Sequence, residues 1–160
     1  GGDLLKSVRD VLRGQAEIKP VEHLIDLDAR PFIPNGWRVE PEDQLPGAVG
    51  GKLVWDKSMA GLFLAEKQKT GLLSGHDLRK ELEGKPVLKA NVLDYLLAHP
   101  DLIPESWKGQ YVFFWGTVNR YSDGRLCVRC LYWLGFGWNW SYYWLGGDWY
   151  SSIPAAVRAS

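Results

Sequence analysis

Features that commonly point to a function are scarce in this 160-residue chain. It has two cysteines, three histidines and one methionine, and its 19 basic side chains balance its 19 acidic ones. A neutral chain has no net field to attract a nucleic-acid backbone or an anionic membrane. Its longest apolar runs, such as residues 92–98, are too short to span a bilayer. We therefore expect neither nucleic acid nor a membrane as a partner.

Catalytic motifs are also lacking. Ser58 is not in a Gly-x-Ser-x-Gly elbow, and residues 50–52 are too short for a phosphate loop. On a strand, Asp26 and Asp28 would share a face that His23 does not share, so the three form no cluster. Four further carboxylates near the predicted sheet ends could act on a sugar, although their spacing does not require it: Asp101, Glu105, Asp123 and Asp148.

The lack of a nucleophile–base pair, a metal-ligand set or a cofactor loop predicts a protein that is not a conventional enzyme. We expect no cofactor and no metal ion. The enzymatic alternative is a hydrolase that acts on a glycan, since catalytic groups far apart in sequence leave no motif.

The two cysteines form the segment Cys127-Val-Arg-Cys130, a spacing that suggests redox or metal chemistry on a loop or helix. Here they lie in a strand-like run, 125–133, where residues three apart face opposite sides. The sulfurs would diverge, which excludes a disulfide or a shared metal ion. Two reduced thiols favour a cytoplasmic location, although the chain begins Gly1-Gly2 without methionine and a preceding leader could have been removed.

At this length we expect a single domain, 1–160, built on one core. Patterning divides it into an N-terminal helix, short strands with loops, a helical region and a tryptophan-rich region: 1–14, 19–70, 74–108 and 110–160. In the helical region, Ser74 and Asp77 resemble a capping box at the start of one helix. A second helix is predicted from about Asn91, as its cap, to His99.

The tryptophan-rich region predicts a three-stranded antiparallel meander. Its strands would be 110–119, 125–134 and 138–145, joined by three-residue loops at 122–124 and 135–137 that each contain glycine. The fold class is therefore α+β, with the meander packed on the helices and short N-terminal strands extending or capping the sheet.

The register of the second hairpin decides which aromatic side chains are buried. A three-residue loop pairs Cys130 with Tyr142 and creates one face without any charge, so we expect near-complete burial of Phe114, Trp140 and Tyr142. A slip of one residue would instead place Arg129 beside Trp140 and Tyr142, at the cost of burying a cation. That cost favours the three-residue loop.

The opposite face mixes aromatic rings with polar groups and provides the candidate ligand-binding residues: Trp115, Arg129, Trp133, Asn139 and Tyr143. Such a face can stack a flat ligand and bond its edges, unless strands of the first half or a second subunit cover it. We predict a non-catalytic binding or protein-interaction module. A protein partner or self-association is favoured, a glycan or carbohydrate-binding role is the alternative, and nucleic acid is disfavoured.

Two stretches resemble a group of small uncharacterised bacterial proteins, some of them associated with mobile elements. One is DLDARPFIPNGW at 26–37, and the other runs discontinuously from LRKELEGKP at 78–86 to Asp148-Trp149. The resemblance implies a compact domain of bacterial or mobile-element origin. It carries no activity, ligand or functional residue to this chain.

Overall fold

A computed structural model describes residues 22–159, and the N-terminal helix predicted within residues 1–14 lies outside them. The described part is a mixed α+β structure. Its strands are β1 Leu24–Asp26, β2 Lys52–Val54, β3 Ala60–Phe63, β4 Leu73–Ser74, β5 Val112–Phe113, β6 Asn119–Arg120, β7 Leu126–Trp133, β8 Trp138–Trp144, β9 Asp148–Trp149 and β10 Ala155–Arg158. Its α-helices are α1 Glu66–Thr70, α2 Gly75–Leu82 and α3 Ala90–Ala98.

The main sheet is built around β7. In order, β3, β10, β5 and β7 lie side by side, and β10 and β5 are parallel whereas the other pairs are antiparallel. β6 pairs with the end of β7 that β5 leaves free, and β8 pairs along the remaining side of β7. Among the strands between residues 22 and 63, β3 extends this sheet, and Arg38 adds a single bridge to Arg120 of β6. The pairs β1–β2 and β4–β9 form two small separate sheets.

The first predicted strand of the meander, 110–119, is interrupted. It leaves the sheet after Phe113 and returns at Asn119, because the chain between them packs against the segment before α3. There the Gly116 N–H donates to the Leu88 carbonyl (2.9 Å), and a Cβ at Gly116 would lie 2.6 Å from the Leu88 carbonyl carbon. Only glycine allows this approach. Because this contact draws residues 114–118 away from the sheet, the predicted three-stranded meander is present only in part.

Both predicted helices are present. The Ser74 hydroxyl accepts from the Asp77 N–H at 3.1 Å, so the predicted cap of α2 is confirmed. The second helix starts one residue earlier than expected, at Ala90, and Asn91 is not its cap. Instead, the Asn91 amide donates to the Asp26 carbonyl (3.2 Å) and joins α3 to β1.

Helices cover both faces of the sheet. On one face, α3 and its flanks pack on β5 and β7 through the buried residues Leu88, Val92, Leu93, Leu96, Val112 and Leu131. On the other face, α2 and β9 pack on the same strands through Leu78, Leu82, Phe113, Val128, Cys130 and Trp149. The outer strand β8 is only half-buried along its length.

The register predicted for the second hairpin is wrong. Trp133 pairs with Trp138 across a four-residue loop, and Arg129 therefore lies opposite Tyr142. We call the side of β7–β8 that carries these residues the arginine face, and the opposite side, which carries Cys130 and Ser141, the groove face. The first hairpin has the expected three-residue loop, with Asn119 opposite Cys127 and Gly124 in the left-handed region at φ 88°.

The slip is tolerated because Arg129 has partners inside the protein. Its side chain is 1% exposed, and one guanidinium nitrogen lies 2.9 Å from a carboxylate oxygen of Asp94 on α3. The guanidinium carbon lies 4.4 Å from the ring centre of Trp140 and 5.1 Å from that of Phe32. One ion pair and two cation–π contacts offset the free-energy cost of removing the guanidinium from water, the cost on which the predicted register depended.

The change of register also alters which of the aromatic residues predicted to be buried are in fact buried. Phe114 is fully buried, as predicted, but Trp140 and Tyr142 are only half-buried. They belong to the outermost strand, where the loop residues Phe32 and Trp37 lie over them with ring centres 4.9 to 6.1 Å apart.

We predict that Asp94→Ala lowers the free energy of unfolding by about 3 kcal/mol, because Arg129 would remain buried without its counter-charge. Adding Arg129→Met should recover much of that loss, since an apolar side chain needs no partner. Urea denaturation measures both effects, with Asp101→Ala on the exposed turn after α3 as the control. Equal stability of Asp94→Ala and the control would contradict this role of the pair.

Candidate binding groove

Two of the five candidate ligand-binding residues are inaccessible. Trp115 is completely buried, with its ring centre 4.9 Å from that of Trp149. Arg129 is buried beneath Trp140. Both side chains stabilise the interior, so neither can contact a ligand directly.

The other three do not share one face of the sheet. Trp133 lies on the arginine face, under the Lys108 ammonium at 4.0 Å from its ring centre. Asn139 and Tyr143 lie on the groove face, because each is an odd number of positions along β8 from Trp138, which pairs with Trp133 and shares its face. The predicted mixed face therefore does not exist as one surface.

A groove does open on the groove face, and we call it the tyrosine groove. It has a volume of about 330 Å³, within the range of small-ligand sites. Its lining carries no charged side chain and consists of Tyr111, Phe113, Cys130, Tyr132, Ser141, Tyr142, Tyr143, Tyr150 and Ile153.

Several elements position the tyrosines. Tyr132 comes from β7 and Tyr143 from β8, while Tyr111 precedes β5 and Tyr150 follows β9. The Tyr111 N–H donates to the Ser152 carbonyl at 3.0 Å, which holds the two chain segments together. Tyr111 and Tyr132 pack edge to face with ring centres 5.0 Å apart. The groove is thus built on strand ends and held by backbone contacts.

The hydroxyl groups of the groove are largely free to bond a ligand. The Tyr143 hydroxyl donates to the Asp148 carbonyl at 3.2 Å. Within residues 22–159, the hydroxyls of Tyr111, Tyr132, Tyr150 and Ser141 have no hydrogen-bond partner. Each hydroxyl can donate or accept, so the groove suits a ligand that presents carbonyl, amide or hydroxyl groups.

A smaller depression of about 210 Å³ adjoins the tyrosine groove, with Tyr111 and Tyr150 in the lining of both. It is lined in addition by Gly109, Gln110, Trp133 and Ser152. Trp133 and Tyr143 therefore flank one extended surface, although they occupy different faces of the sheet.

The carboxylates that could have supported glycan hydrolysis do not line the groove. Glu105 is paired with Lys108 (2.8 Å), and the hydrogen bond from Lys108 lowers the pKa of its carboxyl. The Arg125 backbone N–H lowers the pKa of Asp123 in the same way. A general acid for glycoside cleavage needs a raised pKa, which neither carboxyl has.

Asp26 and Asp94 line a separate depression that is open to solvent. Asp26 is paired with Lys52 at 3.0 Å, and this hydrogen bond lowers the pKa of its carboxyl. Asp94 is bound to Arg129 and accepts from the Phe32 N–H. His23 faces the Tyr95 hydroxyl (2.8 Å) instead of an acidic group. This depression holds no acid–base pair.

The described part of the chain meets the requirements of neither a metal site nor a membrane-spanning helix. From residue 22 to residue 159, no three His, Cys, Asp or Glu side chains are grouped so as to hold a metal ion. Over the same residues, no helix is both long enough and apolar enough to cross a bilayer.

Comparisons with known proteins give no relative. No family model matches the chain, and neither the curated proteins nor the solved structures include a significant match. The resemblance to small bacterial proteins therefore stays a prediction.

The sequence pattern missed most residues of the tyrosine groove. Tyr132 shares a face with Cys130 in either register, which the sequence pattern predicts to be buried, and only a four-residue loop adds Ser141 and Tyr143 to that face. Tyr111 and Tyr150 are far apart in sequence and lie outside the strands. No periodicity could have brought them together.

The two cysteines lie on opposite faces of β7 and are unpaired, as predicted. Burial raises the pKa of both thiols to about 12, so at about pH 8 very little thiolate is present.

We expect neither thiol to react with a disulfide reagent until the protein unfolds. Rapid labelling of the native protein, measured by mass spectrometry, would contradict this.

The same shift predicts a pH dependence of stability. Above about pH 9 only the unfolded chain releases the thiol protons, so the free energy of unfolding should decrease as the pH rises. Replacing Cys127 and Cys130 with alanine should reduce this slope in urea titrations between about pH 8 and 10. An unchanged slope would show that the thiols do not cause it.

Proposed function

We propose that the protein is a non-catalytic binding module whose tyrosine groove holds an uncharged segment of a protein partner. One observation carries the proposal: the groove combines tyrosine rings with unbonded hydroxyls and contains no charged side chain. Aromatic anchors of this kind dominate the energetics of protein interfaces.

The composition of the groove favours a neutral ligand. A charged group would lose its hydration on entering and would find no counter-charge there. Tyrosine and serine are the residues that binding surfaces use to combine contact area with adaptable hydrogen bonding, because tyrosine loses little conformational entropy. Backbone carbonyl and amide groups of an extended peptide match the free hydroxyls of Tyr111, Tyr132 and Tyr150.

The chemistry of the lining supports a non-catalytic role. The groove contains no histidine or carboxylate. Burial raises the pKa of Cys130 and keeps it as a thiol, and the Ser141 hydroxyl has no histidine or carboxylate in the lining to activate it. Binding and not bond cleavage is therefore the function that the groove supports.

A glycan is the second candidate ligand. Tyr111 and Tyr150 are 45% and 41% exposed, so their rings can stack against a sugar without any rearrangement of the protein. The hydroxyls nearby can bond those of a sugar, and neither interaction requires charge.

The proposal predicts that Tyr111→Ala and Tyr150→Ala weaken binding about 30-fold or more, the effect of losing a hot-spot aromatic. Random peptides displayed on phage would be selected on the protein, and affinities of the selected sequences measured by calorimetry. The selected peptides should lack a common charged residue. Because both tyrosines are substantially exposed, the melting temperature should hardly change.

Phe136→Ala is the matched control, since Phe136 is an aromatic residue outside the groove and 89% exposed. A glycan array probed with the same variants separates the two candidate ligands. Glycan binding that depends on Tyr111, without peptide binding, would replace the first candidate with the second. If substitution of Tyr111 and Tyr150 weakens neither peptide binding nor glycan binding, both candidate ligands of the groove are contradicted.

A further inference from the structure

The outermost strand of the main sheet has an unprotected edge. Within residues 22–159, β8 pairs only with β7. Its sequence, WNWSYYW, has no charge, proline or glycine over seven residues. Natural edge strands are normally shortened, bulged or supplied with lysine or proline, because an open edge recruits another strand. None of these protections is present in β8.

The direction of the free backbone groups on β8 follows from its neighbours. The Phe114 N–H donates to the Arg129 carbonyl at 3.0 Å, so odd-numbered residues of β7 bond towards β5 and even-numbered ones towards β8. The bond from the Leu145 N–H to the Leu126 carbonyl (3.1 Å) agrees with this. The odd-numbered residues of β8 therefore bond to β7.

The even-numbered residues of β8 consequently direct their backbone groups outward. These are Trp138, Trp140, Tyr142 and Trp144. The Trp144 carbonyl already accepts from the Gly147 N–H and the Trp149 indole, each at 3.1 Å. The other outward groups of β8 form a free hydrogen-bonding edge in the described structure.

The sequence of β8 is close to symmetric about Ser141. An antiparallel second copy centred there would place Trp140 opposite Tyr142 and Trp138 opposite Trp144. In that register the free outward groups of Trp140 meet those of Tyr142, aromatic rings meet aromatic rings, and no like charges are opposed. The Trp144 carbonyl is already occupied and takes no part in the pairing. In a dimer with a two-fold axis, a strand at the interface pairs with the same strand of the other copy. The near-symmetric sequence of β8 suits such a pairing.

We propose that two copies of the chain associate through β8 and form one antiparallel sheet with a two-fold axis at Ser141. This inference is independent of the ligand proposed for the tyrosine groove. Because Ser141 and Tyr143 also line that groove, the dimer would bring two grooves next to each other and give a partner with two binding segments a gain in avidity.

A charge-swap experiment tests the two-fold axis. The full chain should sediment as a dimer, at about twice its 18.1 kDa. Ser141→Glu and Ser141→Lys should each give monomers, because each change places like charges opposite one another across the axis. An equimolar mixture of the two variants should restore the dimer. The control pair, Ser151→Glu and Ser151→Lys on an exposed turn, should leave the wild-type dimer intact.

Three results would overturn the proposal: a monomeric wild-type chain, a Ser141→Glu variant that remains a dimer, or folded single variants that do not combine on mixing. Hydrogen exchange on the wild-type protein gives a test that does not depend on folding of the variants. The amides of Trp140 and Tyr142 should be protected at high protein concentration and exchange faster on dilution. Fast exchange of these amides at every concentration would also overturn it, whatever the groove binds.

Discussion

The buried contact between Arg129 and Asp94 determines how the sheet is arranged. Side chains alternate along a strand, so directing Arg129 towards α3 fixes the face of every residue in β7 and, through pairing, in β8. The loop between these strands contains four residues as a consequence. A charged side chain, usually a surface feature, here selects the register of the most aromatic part of the molecule.

That register separates the roles of the residues in β8. The even-numbered tryptophans and Tyr142 lie on the arginine face, where Phe32 and Trp37 pack over them. The odd-numbered residues face the other way, and Ser141 and Tyr143 join the tyrosine groove. A single strand therefore supplies part of the core, one wall of a groove and a free edge. Each role depends on the position of Arg129, since a shift by one residue would exchange the two faces.

Several features that depend on a few consecutive residues follow from the sequence. The cap at Ser74, the three-residue turn ending in Gly124 and the divergence of the two cysteines all depend on a few consecutive residues. The second hairpin could not be resolved in this way. The cost of burying Arg129 depends on Asp94, which is 35 positions earlier in the chain and belongs to a helix. Pattern alone does not reveal such a partner.

By itself the sequence determined the mixed α+β composition, the α2 and α3 helices and the neutral, aromatic character of the C-terminal region, because these depend on local propensity and composition. The tertiary structure alone decided which aromatic side chains are core and which form a surface. That choice rests on one long-range ion pair and on the meeting of Tyr111 and Tyr150 beside the sheet. Both arise only when distant segments pack, since the energy that compensates a buried cation comes from the packed partner and not from the strand itself.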